Sequence, residues 1–225
     1  MSSDEVPLRR DARTNLERVL GAAAEVFAAQ GLSATLADVA KHAGVGVGTV
    51  YRRFANKDDL IHDVYADRVH ATEKLAEQAS LATDVWDGFV QFFEQSILEL
   101  ATDRGLRELT TGGYTESLGW ARGTPPTRLA ELLERNHKTM GVHLIKLVRR
   151  AKRGGVLRKD FQASDMMVLS LAVQAAMAFG GEERPQLHRR ALGFILDGLR
   201  PSRTEPTALP AAGLTDTDLM KFRRR

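Results

Sequence analysis

The sequence predicts an all-α protein, and three observations carry that prediction. Proline is absent from Leu8 to Thr124 and again from Thr127 to Arg184. Both stretches are rich in Ala, Leu, Glu and Arg, residues that fit a helix at little cost in side-chain freedom. Apolar residues recur three and four positions apart, and the β-branched alternation of a half-buried strand is nearly absent.

The first helix is expected from Arg13 to Gln30, with Leu16, Leu20, Ala23 and Phe27 along one face. Gly31 is suited to end it in the left-handed conformation, with Leu32 folding back on Phe27 as a Schellman cap. Thr35 and Asp38 have the spacing of a capping box and open a second helix that buries Leu36, Val39, Ala40 and Ala43. A third helix runs from Val47 to Phe54. The fourth opens at Asn56, with Asp58 and Asp59 at its positive end, and covers 57–80. Further helices are expected over 83–103, 104–111, 126–154, 163–180 and 185–200. Residues 1–12 read as a flexible arm. The segment 201–225 mixes Pro, Thr, Ala and Gly before Arg223, Arg224 and Arg225, a composition that cannot bury a core and reads as a disordered tail.

Composition narrows the function. The chain has 225 residues, 32 Lys and Arg against 29 Asp and Glu, and no cysteine. Disulfides, thiolate metal sites and a cysteine nucleophile are therefore excluded. A net charge of +3 means that any nucleic-acid surface must be a local patch. The six histidines show no H-x-x-x-H pairing, and Gly-x-Ser-x-Gly is absent, so neither a metal, a cofactor nor a catalytic set is expected. His62 with Asp59 and His70 with Asp67 share a helix face, which reads as solvated surface. The most apolar stretch, Met166 to Gly181, is interrupted by Ser170 and Gln174 and is too short to span a bilayer. The expectation is a cytoplasmic protein without a membrane partner.

The informative segment lies between Thr35 and Phe54. Two short helices flank a turn at Gly44, Val45 and Gly46. A helix-turn-helix needs a small residue at the crossing, a glycine free to take positive φ, and apolar residues that lock the angle. Ala40, Gly44, and Val45 with Val50 meet those needs. The second helix is expected to bury Val47, Val50 and Phe54, leaving Gly48, Thr49, Arg52 and Arg53 outward, with the Tyr51 ring packed and its hydroxyl free. Arginine reads guanine edges or holds phosphates, and hydroxyls suit phosphate oxygens. Four basic residues and no acidic one fall between Val39 and Lys57, whereas residues 1–60 carry eight of each sign. The run Gly44-x-Gly46-x-Gly48-Thr49 superficially suggests a phosphate-cradling loop, but such loops follow a strand, and this one follows a capped helix.

Residues 13–65 resemble the DNA-binding domain of the TetR family of bacterial transcriptional regulators. The resemblance rests on Phe27-Ala-Ala-Gln-Gly31, Thr35 with Asp38, Val39-Ala40, Ala43-Gly44-Val45, Gly48-Thr49-Val50-Tyr51-Arg52-Arg53-Phe54 and Asn56-Lys57-Asp-Asp-Leu60. Gly46 departs from the family's usual serine or threonine cap, and Val47 stands where a lysine is common. The resemblance implies a helix-turn-helix domain over 13–61 and a helical regulatory and dimerisation domain over 62–200. It implies contacts to double-stranded DNA, a partly palindromic operator, from Thr35, Val47, Gly48, Thr49, Tyr51, Arg52, Arg53 and Lys57. It also implies a homodimeric repressor joined through its last two helices, with Leu169, Val173, Met177, Leu192, Ile195 and Leu196 in the interface. The phrases Gly155-Val-Leu-Arg158 and Asp197-Gly-Leu-Arg200-Pro201 are similar to regulatory domains of that family.

A small hydrophobic effector is expected in the helical domain. Trp86, Phe89 and Phe93 recur at i, i+3 and i+7, and Met140, His143 and Leu144 share one side of a later helix, with Met177 and Trp120 completing the set. Such stripes are ordinarily core. The loop from Gly112 to Pro126 is expected to close the mouth of the site, with His143 or Arg122 as a polar anchor. Nine Lys or Arg and no acid lie between Arg135 and Lys159, read as a solvated face. An activator or a ligand-insensitive regulator, or a helical enzyme or lipid carrier with a DNA module, are the competing readings.

Overall fold

The computed structural model describes residues 5–111, 127–180, 187–201, 215 and 217. Expectations for Trp120, Arg122, the 112–126 loop and the 202–225 tail, residues 215 and 217 apart, lie outside them. Among the described residues there are nine helices and no strand. They are α1 (Glu5–Gln30), α2 (Leu36–Ala43), α3 (Val47–Arg53), α4 (Lys57–Leu81), α5 (Val85–Thr102), α6 (Arg104–Thr111), α7 (Arg128–Arg153), α8 (Asp165–Gly180) and α9 (Leu187–Leu199). The most visible difference from expectation is at the start, where α1 reaches back to Glu5 through what read as a flexible arm. Pro7 falls in the first turn, where a helix has no partner for the missing N–H.

The chain divides into two compact units. The first lies within Met1–Arg68 and Thr102–Leu133, the second within Val69–Ala101 and Glu134–Arg225. In the first, α1 packs on α2 and α6, and α2 on α3. Phe27 of α1 stacks on Tyr65 of α4 with centroids 6.4 Å apart. Tyr65 donates its hydroxyl proton to Asp103 Oδ1 at 2.9 Å, and the same oxygen accepts from Leu106 N–H at 2.8 Å, opening α6. Arg68 pairs with the other oxygen of this buried carboxylate. Burial, then the adjacent carboxylate, raises the Tyr65 pKa well above the usual phenol range, so the ring stays a neutral donor. Gly105 allows this close packing, since a Cβ there would meet Tyr65 Oη at 2.3 Å and the Phe27 carbonyl at 3.0 Å.

Gly31 ends α1 at φ +80°, as expected, and its N–H donates to the Phe27 carbonyl at 2.9 Å. The next N–H does not return to the helix. Leu32 N–H donates instead to Glu108 Oε2 of α6 at 2.8 Å, so a carboxylate from elsewhere in the chain takes the place of the expected Schellman bond.

The second unit is built on one apolar cluster that includes Phe89, Phe92, Phe93, Leu147, Phe161, Val173 and Leu192. Two arginines of the basic run are structural here. Arg150 donates to the carbonyls of Ser80 and Ala82, closing the end of α4. Arg158 forms a two-pronged pair with Asp160 at 2.6 and 2.8 Å and donates from Nη1 to the Gly198 carbonyl at 3.2 Å. Its backbone N–H reaches the Leu199 carbonyl at 2.9 Å. The two phrases singled out in the sequence, around Arg158 and around Leu199, are thus two halves of one clasp.

Candidate nucleic-acid interface

The site begins with the cap on α2. Thr35 N–H donates to Asp38 Oδ2 at 2.8 Å, and Asp38 N–H donates to Thr35 Oγ1 at 3.2 Å, the reciprocal pair of a capping box. The Thr35 hydroxyl and backbone N–H hold the Asp38 carboxyl below the usual aspartate range. At the other end Gly44 takes φ +65°, and Val45 N–H donates back to the Ala40 carbonyl at 3.0 Å. These bonds aim α3 away from α2 at a fixed angle. Gly46 caps α3 with no side-chain bond, so the angle rests on backbone and packing.

One side of α3 is anchored by Val50, 0% exposed, and by Phe54 just beyond it. Val47, Gly48, Tyr51, Arg52 and Arg53 are exposed, and Thr49 is half-buried. Arg52 Nη2 donates to Thr49 Oγ1 at 3.3 Å, which holds the guanidinium along the outward face. Arg53 lies with its guanidinium carbon 5.6 Å from the Phe54 ring centroid. Two expectations need correction. Val47 is 41% exposed and does not join Val50 in the core, because a seven-residue helix buries little more than one turn. The Tyr51 ring is also out, at 58%, being a third of a turn beyond Val50. Both corrections enlarge the outward surface. Together α3 offers two guanidinium groups, a phenol, a hydroxyl and a bare glycine backbone. That set can hydrogen-bond to phosphate oxygens and base edges.

Two of the residues expected at DNA face other duties. The Thr35 hydroxyl also donates to Asp38 Oδ2 at 2.7 Å and serves the cap. Lys57 Nζ donates to the Leu32 carbonyl, and burial lowers the pKa of its ammonium group from the ordinary value. Leu32 is therefore gripped at both ends, its N–H by Glu108 and its carbonyl by Lys57. Glu108 was missed from the sequence because it lies 76 positions from Leu32 and carries no local pattern. His62 pairs with Asp63 at 3.0 Å, not with Asp59.

In the second unit the expected effector residues are packed together. Phe89 and Phe93 are both 0% exposed, Trp86 stacks on Phe89 with centroids 5.7 Å apart, and Met140, Leu144 and Met177 lie against the same cluster. The outer face of Trp86 is covered by Arg200, whose guanidinium carbon is 3.7 Å from the ring centroid. His143 is half-buried. Two of the six residues expected in the dimer face belong to the core. Val173 (0% exposed) and Leu192 (4%) are covered by their own chain, and Leu169, Met177, Ile195 and Leu196 pack partly against the same core. The large apolar side chains left most exposed on α8 and α9, among the described residues, are Val168, Leu171, Phe179 and Phe194. Periodicity located an apolar stripe on each helix but not which of two stripes the chain covers itself.

Comparison with known proteins gives this geometry its context. Residues 19–64 match the family model for bacterial regulatory proteins of the tetR family. Residues 84–201, or 118 of the 225, match the model for the C-terminal domain of SbtR-like transcriptional regulators. Over 64 residues, 28% of the chain, the sequence is 44% identical to the HTH-type transcriptional regulator SrpR of Pseudomonas putida, and the match spans 30% of that relative's length. The fatty acid degradation regulator FadR of Bacillus halodurans has a TM-score of 0.55 at 23% identity, over 83% of this chain and 96% of that one. HlyIIR, a hemolysin II transcriptional regulator, has a TM-score of 0.58 at 17% identity, over 85% and 99%. These two likenesses bear on the fold, which is all-helical in each unit described above. With both family models matched, the first ending within α4 and the second beginning beyond it, the chain belongs to the TetR family of bacterial transcriptional regulators.

Proposed function

We propose that the protein is a homodimeric repressor that binds a partly palindromic operator and leaves it when a small, largely apolar effector binds. The observation that carries the DNA reading is the outward face of α3, where Gly48, Thr49, Tyr51, Arg52 and Arg53 stand on a helix fixed by Val50, Phe54 and the Gly44 turn. In this reading Arg52, Arg53 and Tyr51 make the base and phosphate contacts, Gly48 lets the backbone approach closely, and Val47 offers an apolar contact to a thymine methyl. Thr35 and Lys57 act mainly by holding α2 and the turn before it in place.

The dimer reading rests on Val168, Leu171, Phe179 and Phe194, large apolar side chains that the single chain leaves exposed on two helices packed together. A two-fold copy placed there would give one particle two α3 helices, one for each half-site of a two-fold operator. The effector reading rests on the aromatic and Met-rich cluster of the second unit, which suits an apolar ligand. No helix among the described residues is long and apolar enough to cross a membrane, and we place the protein in the cytoplasm with its DNA. We assign it no catalytic activity, in keeping with a family of transcriptional regulators.

A footprint on the DNA upstream of the protein's own coding sequence, with and without candidate ligands, tests the whole reading. A protected stretch with two-fold symmetry that disappears with ligand supports it. Protection that ligand strengthens would make the protein a co-repressed or activating regulator instead.

A further inference from the structure

Four polar atoms in the second unit are closed off from solvent and have no hydrogen-bond partner among the described residues. They are Ser96 Oγ, His143 Nδ1, and both Oε1 and Nε2 of Gln174. They come from three helices, α5, α7 and α8. Each has members of one apolar cluster three or four positions away on its own helix: Phe92 and Phe93 for Ser96, Met140 and Leu147 for His143, Met177 for Gln174. Such atoms give up their hydration on folding and receive nothing in return, so proteins keep few of them.

Two other buried hydroxyls of this unit show the usual way out. Ser80 Oγ donates to the Glu77 carbonyl at 2.8 Å, and Ser170 Oγ to the Met166 carbonyl at 2.7 Å, each satisfied by the preceding turn. Ser96 does not take this route. Gln174 is 7% exposed, so its own chain already covers it, unlike Val168, Leu171 and Phe179 on the same helix.

We propose that Ser96, His143 and Gln174 form the polar recognition site for the effector, and that the ligand they select is an uncharged amphiphile. It has an apolar body and an oxygen function, such as an alcohol or a carboxamide, that both donates and accepts hydrogen bonds. The proposal rests on the reading of this unit as the effector domain. A serine hydroxyl and a carboxamide can each offer a donor and an acceptor, and the imidazole Nδ1 offers one or the other according to its tautomer. The described buried residues of the unit include no Asp, Glu, Lys or Arg that would serve as counter-charge. An ionised headgroup placed there would lose its hydration with no buried carboxylate, ammonium or guanidinium group to meet it.

The test uses the full-length protein and four ten-carbon probes, 1-decanol, decanamide, decanoate and decylammonium, titrated calorimetrically below their aggregation limits. The neutral pair is expected to bind at least about tenfold more tightly than either ion. Gln174→Leu should weaken decanamide about tenfold and Ser96→Ala should weaken both neutral probes about three- to tenfold, with the free Ser96→Ala protein melting no lower than wild type. Tighter binding of either ion, no binding of any probe, or the same preferences in both variants overturns the proposal. If the Gln174→Leu chain does not fold, Ser96→Ala with the probe series and His143→Phe measured in the same way decide the proposal. Operator binding, followed in parallel by fluorescence anisotropy, separates the outcomes. Its absence in the wild type sinks the regulator reading, whereas neutral probes that bind without releasing DNA uphold the recognition site and remove the release step.

Discussion

Gly48 is a residue whose presence the protein alone does not explain. It stands inside a helix, where glycine costs about 0.5–1 kcal/mol relative to alanine, yet an added Cβ would meet nothing within 4 Å. Gly48→Ala is therefore expected to stabilise the fold by about 0.5–1 kcal/mol in denaturant melts. If α3 lies in the major groove, the same change weakens operator binding, because the new methyl occupies the space the DNA needs. Unchanged affinity would mean that the duplex does not approach the backbone there. Arg52→Ala should cost about 1–3 kcal/mol of operator affinity and relax preference at one base pair, as expected for a two-pronged contact to guanine. Competition binding against single-base operator variants reads both effects. Asp38 supports these residues from behind. Its pKa is depressed on folding by Thr35, so its stabilisation is whole above the ordinary aspartate value. That stabilisation fades as pH falls through the lower folded value. Asp38→Asn should flatten the dependence of melting temperature on pH below about pH 4, and Thr35→Ala should cost about 1 kcal/mol at neutral pH. The capping pair, the Gly44 turn and the outward Arg52 were all legible in the sequence, because each is set by residues within a few positions of one another. Val47 and Tyr51 were misplaced because periodicity assigns faces to a long helix, and α3 has only seven residues.

Helices as whole elements were legible for the same local reason: glycines, prolines and caps mark their ends. What was not legible is which apolar stripe of a helix meets its own chain. On α8, one stripe carries Met166, Ser170, Val173 and Met177 inward and another carries Val168, Leu171 and Phe179 outward. A sequence that is apolar on most sides offers no polar face to break the tie. The distinction changes the expected effect of mutation. Val173→Asp buries an unpaired charge in the core and should unfold the second unit or lower its melting temperature severely. Leu171→Glu and Phe194→Glu place charge on an exposed face, so the chain should fold and give a monomer by light scattering at micromolar concentration. Dimers that persist in both variants would move the interface elsewhere. Long-range ties were equally hidden from the sequence. The α6 helix grips the end of α1 through Glu108 and packs on it at Gly105, where a Cβ would fall 2.3 Å from Tyr65 Oη. Gly105→Ala is therefore expected to destabilise the first unit despite raising helix propensity, with thermal unfolding as the readout.

For the molecule as a whole, two consequences of the proposed function follow from thermodynamics. The first concerns the dimer. If two recognition helices joined in one particle engage two half-sites together, the effective concentration is in the millimolar range and raises affinity by about 10²–10⁴ over a single half-site. A folded monomer such as Phe194→Glu keeps every residue of α3, yet it should lose operator binding by about that factor and retain only weak, salt-sensitive attraction to DNA. The second concerns the effector. If a ligand lowers operator affinity by some factor, operator DNA must lower ligand affinity by the same factor, typically about 5- to 150-fold for a coupling of roughly 1–3 kcal/mol. The fluorescence of Trp86, which lies between Phe89 and the Arg200 guanidinium, offers a local reporter for that titration. Replacing Trp120 by Phe leaves Trp86 as the sole indole, since the chain has two tryptophans. Titrating that variant with a neutral amphiphile, alone and on saturating operator, should give two binding curves displaced by the same factor that separates the operator curves with and without ligand. Equal ligand affinity in both conditions would mean that the second unit binds its ligand without communicating with α3, and the switch would then have to act through the dimer equilibrium, where it would appear as a dependence of release on protein concentration.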